Sequence, residues 1–303
     1  MKSLMKWLLI PTVLILTQCG SEGLSSWVIS KEQEYEMGVE FDRVTRDSLK
    51  IKKITVYDAE SYKTDKTSKY AKWWVYIDSL RIEMQKQQGL NEYWDGLIPT
   101  TPTGVNKSNF FKVALIDQPT INAFAVPGGF FYIYTGILKD FKSESELIAV
   151  MGHEIGHILK HHSRQSMAQS AALGGAASIL LGDQASTGAQ ILTALGTNYF
   201  LMENSREHEL ESDEIGVKFS EWLGINPYGI SDYFGKGIVD PVTGICNDGS
   251  SSVLGQVSEA FSTHPPHCDR VTQVKTLVSK DSKLQSLGQQ PKSSKRYLEL
   301  KNL

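Results

Sequence analysis

At 303 residues with 41% hydrophobic content, the chain is long enough for one sizeable domain, alone or with an appended subdomain. A formal net charge of -3, with no basic run and no interleaving of aromatic and basic residues, argues against a nucleic-acid partner. No periodic repeat is visible.

The first residues read as a targeting segment. Lys2 and Lys6 form a basic start, Trp7 to Leu16 an apolar run too short to span a bilayer, and Thr17-Gln18-Cys19 a polar exit. Leu16-Thr17-Gln18-Cys19 resembles a bacterial lipobox, which makes residues 1–18 a lipoprotein-type signal peptide and Cys19 the lipidated first residue, anchoring the chain to a membrane. Gln18 departs from the small residue usual before that cysteine, so simple secretion is the other reading. Both place the protein outside the cytoplasm. Three cysteines less a lipidated Cys19 leave Cys246 and Cys268 in an oxidising compartment, where they are expected to pair, with two independent buried thiols as the alternative.

After a tether over 19–29, Ser30 and Gln33 form a capping box that opens a helix through about Ser48, and a second helix is expected from about Ser68 to Gln88 with Trp73, Trp74 and Tyr76 as core. Gly89 to Asn109 reads as a loop or insertion. Three β-rich runs follow at Phe110 to Ile116, Asn122 to Val126 and Phe130 to Tyr134. The middle one, with Asn122, Ala123, Phe124 and Ala125, is either ordinary core sheet or an edge onto which an extended peptide substrate adds through backbone hydrogen bonds.

Glu146 to His162, ELIAVMGHEIGHILKHH, is the organising stretch. On a helix, His153 and His157 lie about 6 Å apart along the axis on one face, so that face can chelate a metal. Two neutral imidazoles at this spacing suit zinc, and Glu154 is placed to take the proton of the attacking water, the HExxH arrangement of zinc peptidases. Ser143-Glu144-Ser145-Glu146 supplies a capping box, and Leu147, Ile148, Val150, Met151, Ile155, Ile158 and Leu159 an apolar side. Farther on, Ala171 to Leu181 and Ala189 to Leu201 read as tightly packed small-residue helices, with a flap over the cleft or a membrane-surface contact as the other readings. Ser205 to Gly224 is an acidic helix with Ile215, Val217, Phe219 and Trp222 toward the core. A catalytic zinc needs a third ligand, and spacing alone does not separate Glu207, Glu209, Glu211, Asp213 and Glu214. Thr263-His264-Pro265-Pro266 is a rigid stretch able to present an imidazole without a flexible arm.

Four stretches together, HEIGH at 153–157, SREHELESDEIG at 205–216, NAFAVPGG at 122–129 and STHPPHCDR at 262–270, resemble the signature motifs of one zinc metallopeptidase family. That family contains the CaaX prenyl proteases, the HtpX-type membrane proteases and the periplasmic BepA-like proteases. The resemblance implies an α+β, mostly helical gluzincin-type fold over residues 30–280, with the active-site helix on a small sheet, followed by a polar tail at 281–303. It implies one zinc per chain held by His153, His157 and Glu209, with Glu154 as general base. Asp213 would orient a ligand histidine from behind, and Ser212 stands where the family usually has Ala. His162 and Ser163 match the continuation after HEIGH, and His161 and His162 read as structural or supporting. His264 is expected to reach the zinc and either gate it or stabilise the transition state, with Arg270 binding a substrate carboxylate or the developing oxyanion. His208 and His267 have only a generic surface reading. Without long apolar segments the chain resembles the soluble, envelope-located branch, so the implied activity is zinc endopeptidase action on misfolded or misassembled envelope proteins. The rival is a holdase or assembly factor with a largely latent zinc site.

Overall fold

The structure, a computed structural model, describes residues 29–102, 104–174, 204–240, 242–247, 264 and 267–303. The leader with Cys19, residues 175–181 and 189–201 of the small-residue runs, and Thr263, Pro265 and Pro266 lie outside the described residues. Among the described residues no helix is long and apolar enough to cross a membrane.

Helix α1 (Lys31–Ile51) opens on the expected reciprocal cap, Ser30 Oγ accepting from Gln33 N–H and Gln33 Oε1 accepting from Ser30 N–H. A short strand β1 (Val56–Tyr57), which the sequence patterning had not suggested, precedes α2 (Lys69–Gln85), capped by Ser68. The expected loop 89–109 is partly ordered as a 3₁₀ turn and helix α3 (Trp94–Leu97), because Leu90, Trp94 and Leu97 are buried and pin it to the core.

Strands β2 (Lys112–Ile116), β3 (Ala123–Val126) and β4 (Phe130–Tyr134) complete a mixed sheet in the order β1-β2-β4-β3, with β2 parallel to β4 and β3 antiparallel to it at the edge. Both sheet faces are covered, so both alternations are apolar. Ala114, Ile116, Phe124, Val126, Phe130 and Tyr132 turn toward Met37 and Phe41 of α1. Val113, Leu115, Ala123, Phe131 and Ile133 turn toward the main core.

The remaining described helices are α4 (Thr135–Asp140), α5 (Glu144–Leu159), α6 (His162–Gly174), α7 (Arg206–Leu223), α8 (Gly229–Phe234), α9 (Cys268–Lys280), α10 (Ser282–Gly288) and α11 (Lys295–Lys301). Gly224 closes α7 in the left-handed conformation. Segment 281–303, expected as a polar tail, instead docks on the domain through buried Leu284 and Tyr297. It also satisfies two orphan donors at the start of α5: Glu144 N–H donates to Ser293 Oγ at 3.1 Å and Ser145 N–H to Lys292 O at 3.0 Å.

Helices α5 and α7 touch almost backbone to backbone. A Cβ on Gly156 would meet Ser212 Cα at 2.9 Å, one on Gly152 would meet Gly216 Cα at 3.0 Å, and one on Gly216 would meet Ala149 O at 3.1 Å. Gly156→Ala is therefore expected to cost about 1–3 kcal/mol by overpacking, and to weaken zinc binding by separating Glu209 from the two histidines. Urea unfolding and zinc titration of the variant measure the two effects.

Candidate metal centre

Helix α5 carries His153, Glu154 and His157, all buried, on the side that meets α7 and the edge strand β3. Helix α7 brings Glu209 against both histidines: Glu209 Oε2 is 3.4 Å from His153 Nε2 and Glu209 Oε1 is 3.3 Å from His157 Nε2. The two Nε2 atoms are 3.0 Å apart. His264 enters from the other side with its Nδ1 3.1 Å from His153 Nε2 and 3.0 Å from Glu209 Oε1. Donor atoms of His153, His157, Glu209 and His264 all lie within 4.8 Å of one another.

These separations fit zinc. Ligand bonds of about 2.0–2.1 Å in a tetrahedron place adjacent donors about 3.3 Å apart. The charge balance points the same way, since Glu154, Glu209 and Asp213 are buried carboxylates facing Arg270 as the fixed cation. Burial pushes His157 down to about 4, leaving the neutral imidazole a metal requires. Burial also works against charge on Glu209, but His264 and Arg270 outweigh it and hold the carboxyl well below its usual range. Burial disfavours a charged His264 as well, yet the carboxylates of Glu209 and Glu154 push it up to about 10. It lies between them, Nε2 3.1 Å from Glu154 Oε1.

Asp213 lies one turn along α7 from Glu209, and its Oδ1 is 2.8 Å from His153 Nδ1. That contact keeps the proton on Nδ1 and the lone pair of Nε2 toward the other donors. Glu154 Oε2 accepts from Ala125 N–H at 2.8 Å, which fastens the α5 carboxylate to β3. Because Tyr134 N–H donates to Asn122 O, ladder alternation turns the backbone groups of Asn122 and Phe124 toward β4 and those of Ala123 and Ala125 outward. The strand read as either core or edge is an edge on the site side of the sheet.

Arg270 departs from expectation. Instead of reaching a substrate carboxylate or oxyanion, it is fully buried against His153, Glu209 and Asp213. Nε and Nη2 each bond Asp213 at 2.7 Å, Nη1 approaches Glu209 Oε2 at 2.9 Å, and the guanidinium stacks on Phe234 at 3.6 Å. Its fork matches two carboxylates that would otherwise repel, and Asp213 accordingly titrates below its usual range, the Arg270 charge overriding burial.

Cys246 and Cys268 are disulfide-bonded with Cα atoms 5.6 Å apart, which ties the first residue of α9, the helix of Arg270, to the chain after α8. His208, expected at the surface, is buried and stacks on His162 with ring centroids 4.1 Å apart. Phe234 and Glu211 also border the site. Nothing in the sequence singled out Phe234, and Glu211 stood undistinguished among five acids.

Residues 84–278 match the family described as Peptidase family M48. The chain is 32% identical over 135 residues to the beta-barrel assembly-enhancing protease of Escherichia coli (strain K12), covering 42% of this chain and 28% of that protein. It is 28% identical over 117 residues to the mitochondrial metalloendopeptidase OMA1 of Arabidopsis thaliana, covering 39% of this chain and 24% of the relative. It is also 28% identical over 166 residues to the metalloprotease LoiP of Escherichia coli (strain K12), covering 53% and 60%. The match thus spans about a quarter of the length of the first two relatives.

Arg270→Leu removes the cation shared by two buried carboxylates and is expected to lose about 3–5 kcal/mol of stability. Arg270→Lys, a point charge without the fork, should recover only part of it. Urea unfolding of the zinc-free proteins checks both.

Proposed function

Because the chain belongs to peptidase family M48, whose members are zinc metallopeptidases, we propose that it is a zinc-dependent endopeptidase with His153, His157 and Glu209 as ligands and Glu154 as general base. The observation that carries this reading is the convergence of the three ligand side chains beside a carboxylate fastened to the outward N–H of an edge strand. The chemistry supplied by a bound zinc is Lewis-acid polarisation of the scissile carbonyl and of the attacking water. Glu154 takes the proton of that water and delivers it to the leaving amine. The outward N–H and C=O of Ala123 and the outward C=O of Ala125 align an extended peptide along β3, without demanding a particular sequence, while Ala125 N–H holds Glu154. Asp213, held by Arg270, keeps His153 in the ligating tautomer.

His264 acts as a gate rather than an oxyanion donor. Its charged ring fills the place of a fourth donor between Glu209 and Glu154, and its Nε2 engages the base, so both groups that catalysis needs are blocked. The rival reading, a holdase or assembly factor with a latent zinc site, draws on this same contact. Casein degradation by the purified zinc protein, with and without chelator, separates the two: chelator-sensitive cleavage supports the enzyme, and none supports the holdase.

An envelope location with a lipid on Cys19, and unfolded or misassembled envelope proteins as substrates, are proposed from the leader and from the likeness to the beta-barrel assembly-enhancing protease. Comparing the proteomes of cells carrying wild-type and Glu154→Gln protein tests the substrate class.

Glu154→Gln is expected to retain zinc while losing about 10²–10⁴-fold in cleavage rate, whereas His153→Ala, His157→Ala and Glu209→Ala lose the metal itself. Zinc analysis and casein assays of the four variants discriminate base from ligands. His264→Ala should raise basal casein cleavage with zinc retained, and a drop in turnover would instead assign His264 to the oxyanion.

A further inference from the structure

The two ligand histidines are backed differently. His153 Nδ1 meets the carboxylate of Asp213, whereas His157 Nδ1 meets another imidazole, His162 Nδ1, at 2.8 Å. His162 is buried, with 1% of its side chain exposed, and its Nε2 lies 2.9 Å from Glu211 Oε2. We propose that Glu211 and His162 form a positioning relay that fixes the tautomer and ring orientation of His157, making His162 a positioning residue for metal binding. The inference rests on His157 being a zinc ligand.

Proton bookkeeping along the chain leaves one arrangement. As a zinc ligand through Nε2, the nitrogen that points toward His153 and Glu209, His157 presents its lone pair there and carries its ring proton on Nδ1. That proton is donated to His162 Nδ1, which must then be the acceptor. The proton of His162 is consequently on Nε2, where the Glu211 carboxylate accepts it. Ser212 Oγ lies at 3.3 Å from His162 Nδ1, a longer and secondary contact on the lone pair that His157 already engages. Stacking on His208, 11° from parallel, holds the plane of the His162 ring.

Local backbone geometry makes the relay reachable. A continuous helix would carry His162 around the axis away from His157. Instead α5 ends at Leu159, His161 adopts a left-handed φ of 55°, and α6 begins at His162, returning its ring over the last turn of α5. The turn is held by Glu34 of α1, whose Oε2 is 2.8 Å from His161 Nδ1 and 3.2 Å from Arg164 Nη1. A ligand whose second nitrogen is so engaged loses less orientational freedom on binding metal, and removing such a partner typically lowers metal affinity about 10–100-fold.

The test is zinc affinity by competition with a chromophoric chelator, on full-length His162→Leu, His162→Asn, Glu211→Gln and His157→Ala proteins. His162→Leu removes the acceptor and should weaken zinc about 10–100-fold. His162→Asn replaces it with Oδ1 near the place of Nδ1 and should restore most of that loss, which a packing role alone would not do. Glu211→Gln, at a half-exposed carboxylate, leaves the fold intact and should shift affinity in the same direction by less. In the zinc-loaded wild type, long-range ¹⁵N–¹H spectra should show His157 protonated at Nδ1 and His162 at Nε2. Wild-type affinity in folded His162→Leu or in Glu211→Gln, or the opposite tautomer at His162, overturns the relay. Should His157→Ala bind zinc normally, the ligand assignment itself fails, an outcome distinguishable from failure of the relay alone.

Discussion

The approach of α5 to α7 is the constraint on which the site depends. Glu209 can reach both α5 histidines because Gly152, Gly156 and Gly216 leave no side chain between the two backbones. Each glycine costs about 1 kcal/mol of helix propensity relative to alanine. That local cost is offset by the packing of Ile155, Ile215 and Phe219 around the contact, all buried in the main core.

Electrostatics follow from this approach. Bringing Glu209 and Asp213 of α7 against Glu154 of α5 concentrates buried carboxylates in one pocket, and the fold answers with Arg270 from α9. Arg270 is itself held on Phe234 of α8, so helices remote in sequence converge on a single charge. The sheet contributes at the opposite wall, where Ala125 N–H restrains Glu154 beside the candidate metal group.

Much of the site was legible in the sequence because its chemistry is periodic. Four-residue spacing put His153 and His157 on one face, and the motif at 205–216 selected Glu209 from five acids that spacing left equivalent. Residues whose roles arise from the tertiary approach of separate elements were less legible. The sequence leaves Arg270 open to a substrate or oxyanion contact, because an arginine near a rigid histidine loop faces outward as readily as inward until α9 is docked. His162 was read only as supporting, since its contact depends on a left-handed residue at His161 that interrupts the helical stripe. The fold showed the same division: helix caps and strand periodicity predicted α1, α2, α5 and α7, whereas β1, two residues long, and the docking of 281–303 rest on partners distant in the chain. A polar composition there concealed Tyr297, fully buried against Trp73 with ring centroids 5.7 Å apart.

Mounting the proposed ligands on helices in backbone contact would also govern which ions the site accepts. A cage carried on flexible loops can dilate around a large ion, but one whose spacing is set by touching main chains cannot do so without unpacking the core. Calcium would require six to eight oxygen donors at about 2.3–2.6 Å, more and softer walls than two imidazoles and one carboxylate on rigid helices can supply. Magnesium would demand an octahedral oxygen shell that the same imidazoles deny. Discrimination against the abundant alkaline-earth ions would thus come from imidazole donors held at a spacing that Gly152, Gly156 and Gly216 set.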